Sequence, residues 1–247
     1  MPADWKTDPA IPAAIRDGLA DFCTRAAEQL GDELVSVVLY GGLAKGEFVP
    51  NHSDVNVLVV LKSAPLPALD TLQPIVARAR AAIPLALLTL AEEDLTVTAD
   101  VFPIKFIDIQ RHHRTLAGRE VIKEFEITRD RLRRQCAREL HNLLLRLRGL
   151  YVQRAPRPEQ IEETLSHAVS SFLTTLGALT ELKLGQRPAN KSAAVATAGE
   201  LGLDAQLLRD LLALKRGELK PDAAALKSLY ARFLDALRDA ARLAARL

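Results

Sequence analysis

The sequence predicts an α/β (α+β) domain with a small mixed sheet, followed by an all-α helical bundle. Three observations carry that prediction. Short β-branched runs alternate with helical patterns over residues 1–127. Beyond residue 128 apolar residues recur only at helical spacing. At 247 residues the chain is long for one core and suits two small domains, 1–127 and 128–247.

Each element follows from its residues. Residues 11–30 carry Ile15, Leu19, Phe22, Cys23, Ala26 and Leu30, the spacing of one helix face. Residues 35–40 and 55–61 are rich in valine and read as buried strands. Residues 66–83 form a helix with Pro65 and Pro67 near its start. The apolar runs 86–90 and 104–109 are expected as further strands. Four helical patterns complete the chain: 130–152, 158–184 closed by Gly185, 192–219 broken at 199–203, and 222–247.

Composition removes several classes. Lys and Arg number 33 against 31 Asp and Glu, for a formal charge of +2, so nucleic acid is not expected as a partner. Aromatics at 4% are too few for base-stacking platforms. Cys23 and Cys136 make no CxxC and read as small core residues. No apolar run approaches the roughly 20 residues that cross a bilayer. Residues 1–6 hold an early acid and no apolar run, so no leader is expected and the location is cytoplasmic. The Ala, Leu and Arg content suits a bacterial source.

One stretch can carry chemistry. The strand ending at Tyr40 runs into Gly41-Gly42, with Lys45 close behind. A polar connection leads to Ser53-Asp54-Val55-Asn56, which opens the next strand. Glycines after a strand let backbone N–H groups approach a phosphate. Positions i and i+2 of a strand share a face, so Asp54 and Asn56 project together beside the turn.

This segment resembles the nucleotidyltransferase superfamily of DNA polymerase β type. The layout of the chain resembles aminoglycoside nucleotidyltransferases, in which a helical bundle follows the catalytic domain. The resemblance implies that Gly41 and Gly42, with Lys45, Ser53 and Lys105 nearby, bind a nucleoside triphosphate. It implies that Asp54 and Asn56 hold Mg2+, and that a third acid completes the catalytic set. The acceptor of the nucleotide stays open between a small molecule and a protein side chain, and a homodimer is allowed.

The sequence departs from the superfamily's pattern. Gly42 stands where a serine is usual, and Asn56 where a second aspartate is usual. An amide ligates metal without charge, so cation affinity should fall. Three outcomes compete for the third acid. In a strand over 104–109, Lys105 shares a face with Ile107 and Ile109, and Asp108 takes the opposite face. The Lys105 side would then face the site, where a lysine could pair with Asp54. Asp108 serves instead if the strand carries a bulge, and Asp100 is the remaining option. Two functions follow: an Mg2+-dependent nucleotidyltransferase, or a degenerate nucleotide-sensing or protein-interaction module (a pseudoenzyme) on the same fold.

Two further features read as structural. His112 and His113 sit between arginines and read as a solvated turn. Residues 129–148 hold seven arginines against two acids, a solvated helix face opposite Leu140, Leu143, Leu144, Leu147 and Leu150.

Overall fold

Valine crowds Leu34–Tyr40 (β1) and Val55–Leu61 (β2), and side chains stiff at χ1 favour the pleated strand. In the computed structural model the two pair antiparallel, from Leu34↔Leu61 to Tyr40↔Asn56. Leu85–Ala91 (β3) runs parallel to β2, and His113–Gly118 (β4) antiparallel to β1. The sheet order is β3-β2-β1-β4. The structure describes residues 5–48, 50, 53–124, 126–155 and 157–247. Residues 1–4 at the start of the chain and Val49, Asn51 and His52 of the motif fall outside that set.

Helices cover both faces of the sheet. They are Ala13–Leu30 (α1), the single turn Gly42–Lys45 (α2), Leu66–Ala82 (α3), Asp94–Val101 (α4) and Pro103–Arg111 (α5). The crossover α3 lets β2 and β3 run parallel, since parallel neighbours cannot be joined by a tight turn. On one face Leu19 and Phe22 of α1 and Leu72 and Ile75 of α3 bury Val37, Leu39, Val57 and Val59. On the other, Leu95 and Ala99 of α4 and Phe106 and Ile109 of α5 bury Val38, Leu58 and Val60. Strand alternation feeds one set of valines to each layer.

The expected strand over 104–109 is helix α5. Pro103 fits the first helical turn, where its missing N–H has no partner to lose. Pro103, Phe106 and Ile109 are buried at a spacing of three, and Phe106 and Ile107 are buried side by side, so no strand alternation exists. The isoleucines gave a strand-like composition without a strand-like period.

The expected solvated turn at His112-His113 holds for His112, an exposed bend, and is corrected for His113. His113 opens β4, and its ring is 7% exposed. Nδ1 lies 3.1 Å from the Gln110 carbonyl and Nε2 lies 2.9 Å from Glu120. Glu120 also takes the Thr115 hydroxyl and the Ile122 N–H. β4 has one large apolar residue, Leu116, so its sequence carries little strand signal. Pairing with β1 and a clasp from the first residues hold it instead. The Trp5 indole donates to the Leu116 carbonyl at 3.1 Å, and Arg114 pairs with Asp8.

The chain divides into two units, Met1–Ile127 and Thr128–Leu247. Among its described residues the second unit is helical throughout: Arg129–Arg154 (α6), Pro158–Leu184 (α7), Lys191–Ala196 (α8), Ala205–Lys215 (α9) and Ala223–Arg246 (α10). A 3-10 turn, Ala198–Leu201, and Gly202 at φ 78° make the break expected near 199–203. Thr128, Asn190, Asp204 and Asp222 cap four of these helices by accepting backbone N–H bonds. The central helix is α7, buried all round from Thr175 to Thr180 and exposed along Glu159, Glu163, His167, Ser171 and Thr174. Phe172 meets Phe233 edge-on at 5.4 Å, and the Tyr230 hydroxyl donates to the Leu147 carbonyl at 2.7 Å. On α6 Leu140, Leu143, Leu144 and Leu147 are buried, while Arg134, Arg138, Arg146 and Arg148 are exposed. Leu150 is half-buried. Both cysteines are buried, and burial pushes each thiol up to about 12. No helix among the described residues is long and apolar enough to cross a membrane.

Two expectations test this packing. Gly118 has φ +76°, and a Cβ there would stand 2.2 Å from the Val35 carbonyl oxygen. Gly118→Ala is therefore expected to cost roughly 3 kcal/mol in urea unfolding, as strained or overpacked sites do. At Glu120 burial raises the carboxyl pKa, but bonds from His113 and the Ile122 N–H outweigh it and hold the pKa low. A depressed folded pKa contributes stability above the unfolded value of about 4.3, and that stability is lost as pH falls through the folded value. The gap in Tm between wild type and Glu120→Gln should be widest near neutral pH and close below about pH 4.

Candidate functional site

The end of the β1–β2 pair fixes the site. β1 stops at Tyr40 and the chain turns through Gly41, at φ 75° and ψ −151°. Only glycine adopts that backbone without strain. A Cβ there would also stand 2.9 Å from Asn56 Nδ2. Gly41 is thus demanded by its dihedral angles, and the Asn56 amide packs close against it. Gly42 is different. A Cβ at Gly42 would meet the Glu47 carbonyl at an ordinary 3.8 Å, so a serine would fit. The turn closes with Lys45 N–H donating to Gly41 O at 3.1 Å and Glu47 N–H to Gly42 O at 2.8 Å.

Asp54 precedes β2 and is exposed. Asn56, opposite Tyr40, is half-buried, and its Nδ2 donates to the Asp54 carbonyl at 3.3 Å. Ser53 is half-buried beside them. On the far side of Asn56 the parallel neighbour is Ala86, and β3 holds no acid.

Helix α5 brings the remaining groups. In a helix Lys105 and Asp108, three residues apart, lie on one face. The strand reading set them on opposite faces. Lys45 Nζ meets Asp108 Oδ1 at 2.8 Å. Lys105 Nζ lies 5.6 Å from the centroid of the Tyr40 ring, within cation–π range. Desolvation holds the Lys105 ammonium below the ordinary lysine range and pushes the Tyr40 phenol above its own. Asp100 lies apart from this helix, on α4. Tyr40 is the group that sequence reasoning missed. It reads as the last apolar residue of a strand, and only the position of α5 makes it a platform for Lys105.

A two-metal centre asks for several carboxylates converging on one point. Here one carboxylate, Asp54, stands beside a neutral amide, and Asp108 is paired with a lysine. Among the described residues no three His, Cys, Asp or Glu side chains gather closely enough to hold a metal. These residues do not fit two magnesium ions. They do present a glycine turn and two lysines, groups that attract phosphate.

No family model matches the chain. Over 52 residues, 21% of this chain, it is 36% identical to a curated protein of Methanocaldococcus jannaschii, named provisionally as a protein adenylyltransferase. That match spans 35% of the relative's length. Among solved structures the chain is similar to the spectinomycin adenyltransferase AAD(9) from Enterococcus faecialis, crystallised with ATP and spectinomycin. The alignment has a TM-score of 0.55 at 13% identity and covers 89% of this chain and 98% of that one. The chain thus has the nucleotidyltransferase fold that its glycine-turn motif resembles.

Proposed function

We propose that this chain is a nucleotide-binding protein on the nucleotidyltransferase fold. Gly41, Gly42 and Lys45 would hold the phosphates of a nucleoside triphosphate, with Lys105 adding charge. One observation carries the reading: Asn56, a neutral amide packed on the Gly41 turn, occupies the position beside Asp54 where a second carboxylate is needed for metal chemistry. Binding through backbone N–H groups and ammonium ions needs no divalent cation. ATP is the first nucleotide to test, because the similar solved protein was crystallised with it. A cytoplasmic location suits such a ligand.

The second reading is adenylyl transfer to a small-molecule or protein acceptor, the activity named for the two similar proteins. Its support is the approach of Asp108 to Lys45, which adds one carboxylate near the turn.

Calorimetry separates the two. Under the first reading ATP binds equally with magnesium and with EDTA, and Lys45→Ala weakens binding at least tenfold, about 1.4 kcal/mol. ATP binding that requires magnesium in the wild type supports transfer and overturns the first reading. The Lys45–Asp108 pair competes with phosphate for the same ammonium. Asp108→Asn is therefore expected to tighten ATP binding by about two- to fivefold, the worth of a partly exposed ion pair.

A further inference from the structure

The edge of the sheet at β3 is unlike the edge at β4. Val55 N–H donates to the Pro84 carbonyl and Glu92 N–H to the Leu61 carbonyl. In a parallel ladder alternate residues serve the neighbour, so the even-numbered residues of β3 bond to β2. Leu87, Thr89 and Ala91 aim their N–H and C=O groups outward. Leu85 marks that direction, because its carbonyl accepts Arg80 Nε at 3.2 Å. Natural edges are blunted by charge, proline or bulges. β4 is blunted: its ladder with β1 is irregular at Val37/Val38, and Trp5 and Asp8 lie against it. β3 reads Leu-Ala-Leu-Leu-Thr-Leu-Ala, uncharged and in regular register. Beside it α3 leaves a groove of about 320 Å³, lined by Leu69, Leu72, Gln73, Val76, Leu87 and Thr89 with Arg80 at one end.

We propose that a second copy of this chain docks on this edge, β3 against β3, antiparallel and centred on Leu88. That centre pairs Leu87 with Thr89 of the second copy and Thr89 with its Leu87, so outward groups meet outward groups, while Leu85 keeps its own bonds to Ile83 and Arg80. The two four-stranded sheets become one. Charge selects a copy over any other apolar strand. Arg80, exposed, sits at the Leu85 end. The chain leaves the other end through Glu93 and Asp94, both exposed. An antiparallel copy brings Arg80 of each chain beside Glu93 of the other, twice over. A parallel copy would set like charges together. This inference is independent of nucleotide binding.

Sedimentation equilibrium on the full chain tests it. The expected mass is twice 27.0 kDa at high micromolar concentration. Thr89→Pro removes an outward N–H and should give a monomer with an unchanged circular dichroism spectrum. Arg80→Glu should weaken the dimer roughly tenfold, and Arg80→Glu with Glu93→Arg should restore it. If Thr89→Pro alters the fold, the exposed charge exchange decides alone. A wild-type monomer at high concentration overturns the proposal, including a monomer that instead captures an apolar peptide. A dimer that Thr89→Pro and Arg80→Glu leave intact overturns it as well.

Discussion

The pairing of Tyr40 with Asn56 sets the Asn56 amide against the Gly41 turn, and the site is arranged around that contact. The Asn56 amide fills the space a Cβ would take. Its hydrogen bond to the Asp54 carbonyl holds the amide at the start of β2, where it packs against the turn after β1. With the turn pinned, α2 follows at once and carries Lys45 toward α5. Tyr40, the last residue before the turn, offers its ring to Lys105. Substituting Gly41 would strain the backbone and push the Asn56 amide aside.

The sequence announced this region clearly and its surroundings poorly. The valine-rich strands, the glycine pair and the polar opening of β2 are local signals, and they predict the β1–β2 pair with its site at one end. The helices after residue 128 are equally legible, because long amphipathic patterns with capping residues state both period and boundary. Residues 104–109 carry a strand-like isoleucine content on a helical period. The burial of Pro103, Phe106 and Ile109 is helical, and Pro103 is itself a helix-start residue. β4 was illegible for another reason. His113, Arg114 and Thr115 are polar, and their strand exists through long-range contacts with β1, Trp5 and Asp8. Long-range pairing leaves no local pattern to read.

The helical geometry of α5 changes the chemistry of the site as well as its outline. A strand would have offered either Lys105 or Asp108, whereas the helix offers both. The charges then compensate in pairs: Lys45 with Asp108, and Lys105 with the face of Tyr40. A metal centre concentrates negative charge so that cations are drawn in. This site spreads positive charge over two lysines and keeps one exposed carboxylate, Asp54. On the proposed reading, an anion at the glycine turn would meet these ammonium groups without a divalent ion between them.

The clasp of Trp5 on β4 has an optical consequence. The chain holds one tryptophan, and its indole is buried against the Leu116 carbonyl in the first unit. The tyrosine pair Tyr151 and Tyr230, with ring centroids 5.0 Å apart, belongs to the second. Light absorbed at the red edge of the aromatic band therefore excites one place only. Emission from that place reports the peeling of the first residues from the sheet, and the helical unit is silent to it. The protein carries its own label, and that label separates the melting of its two halves.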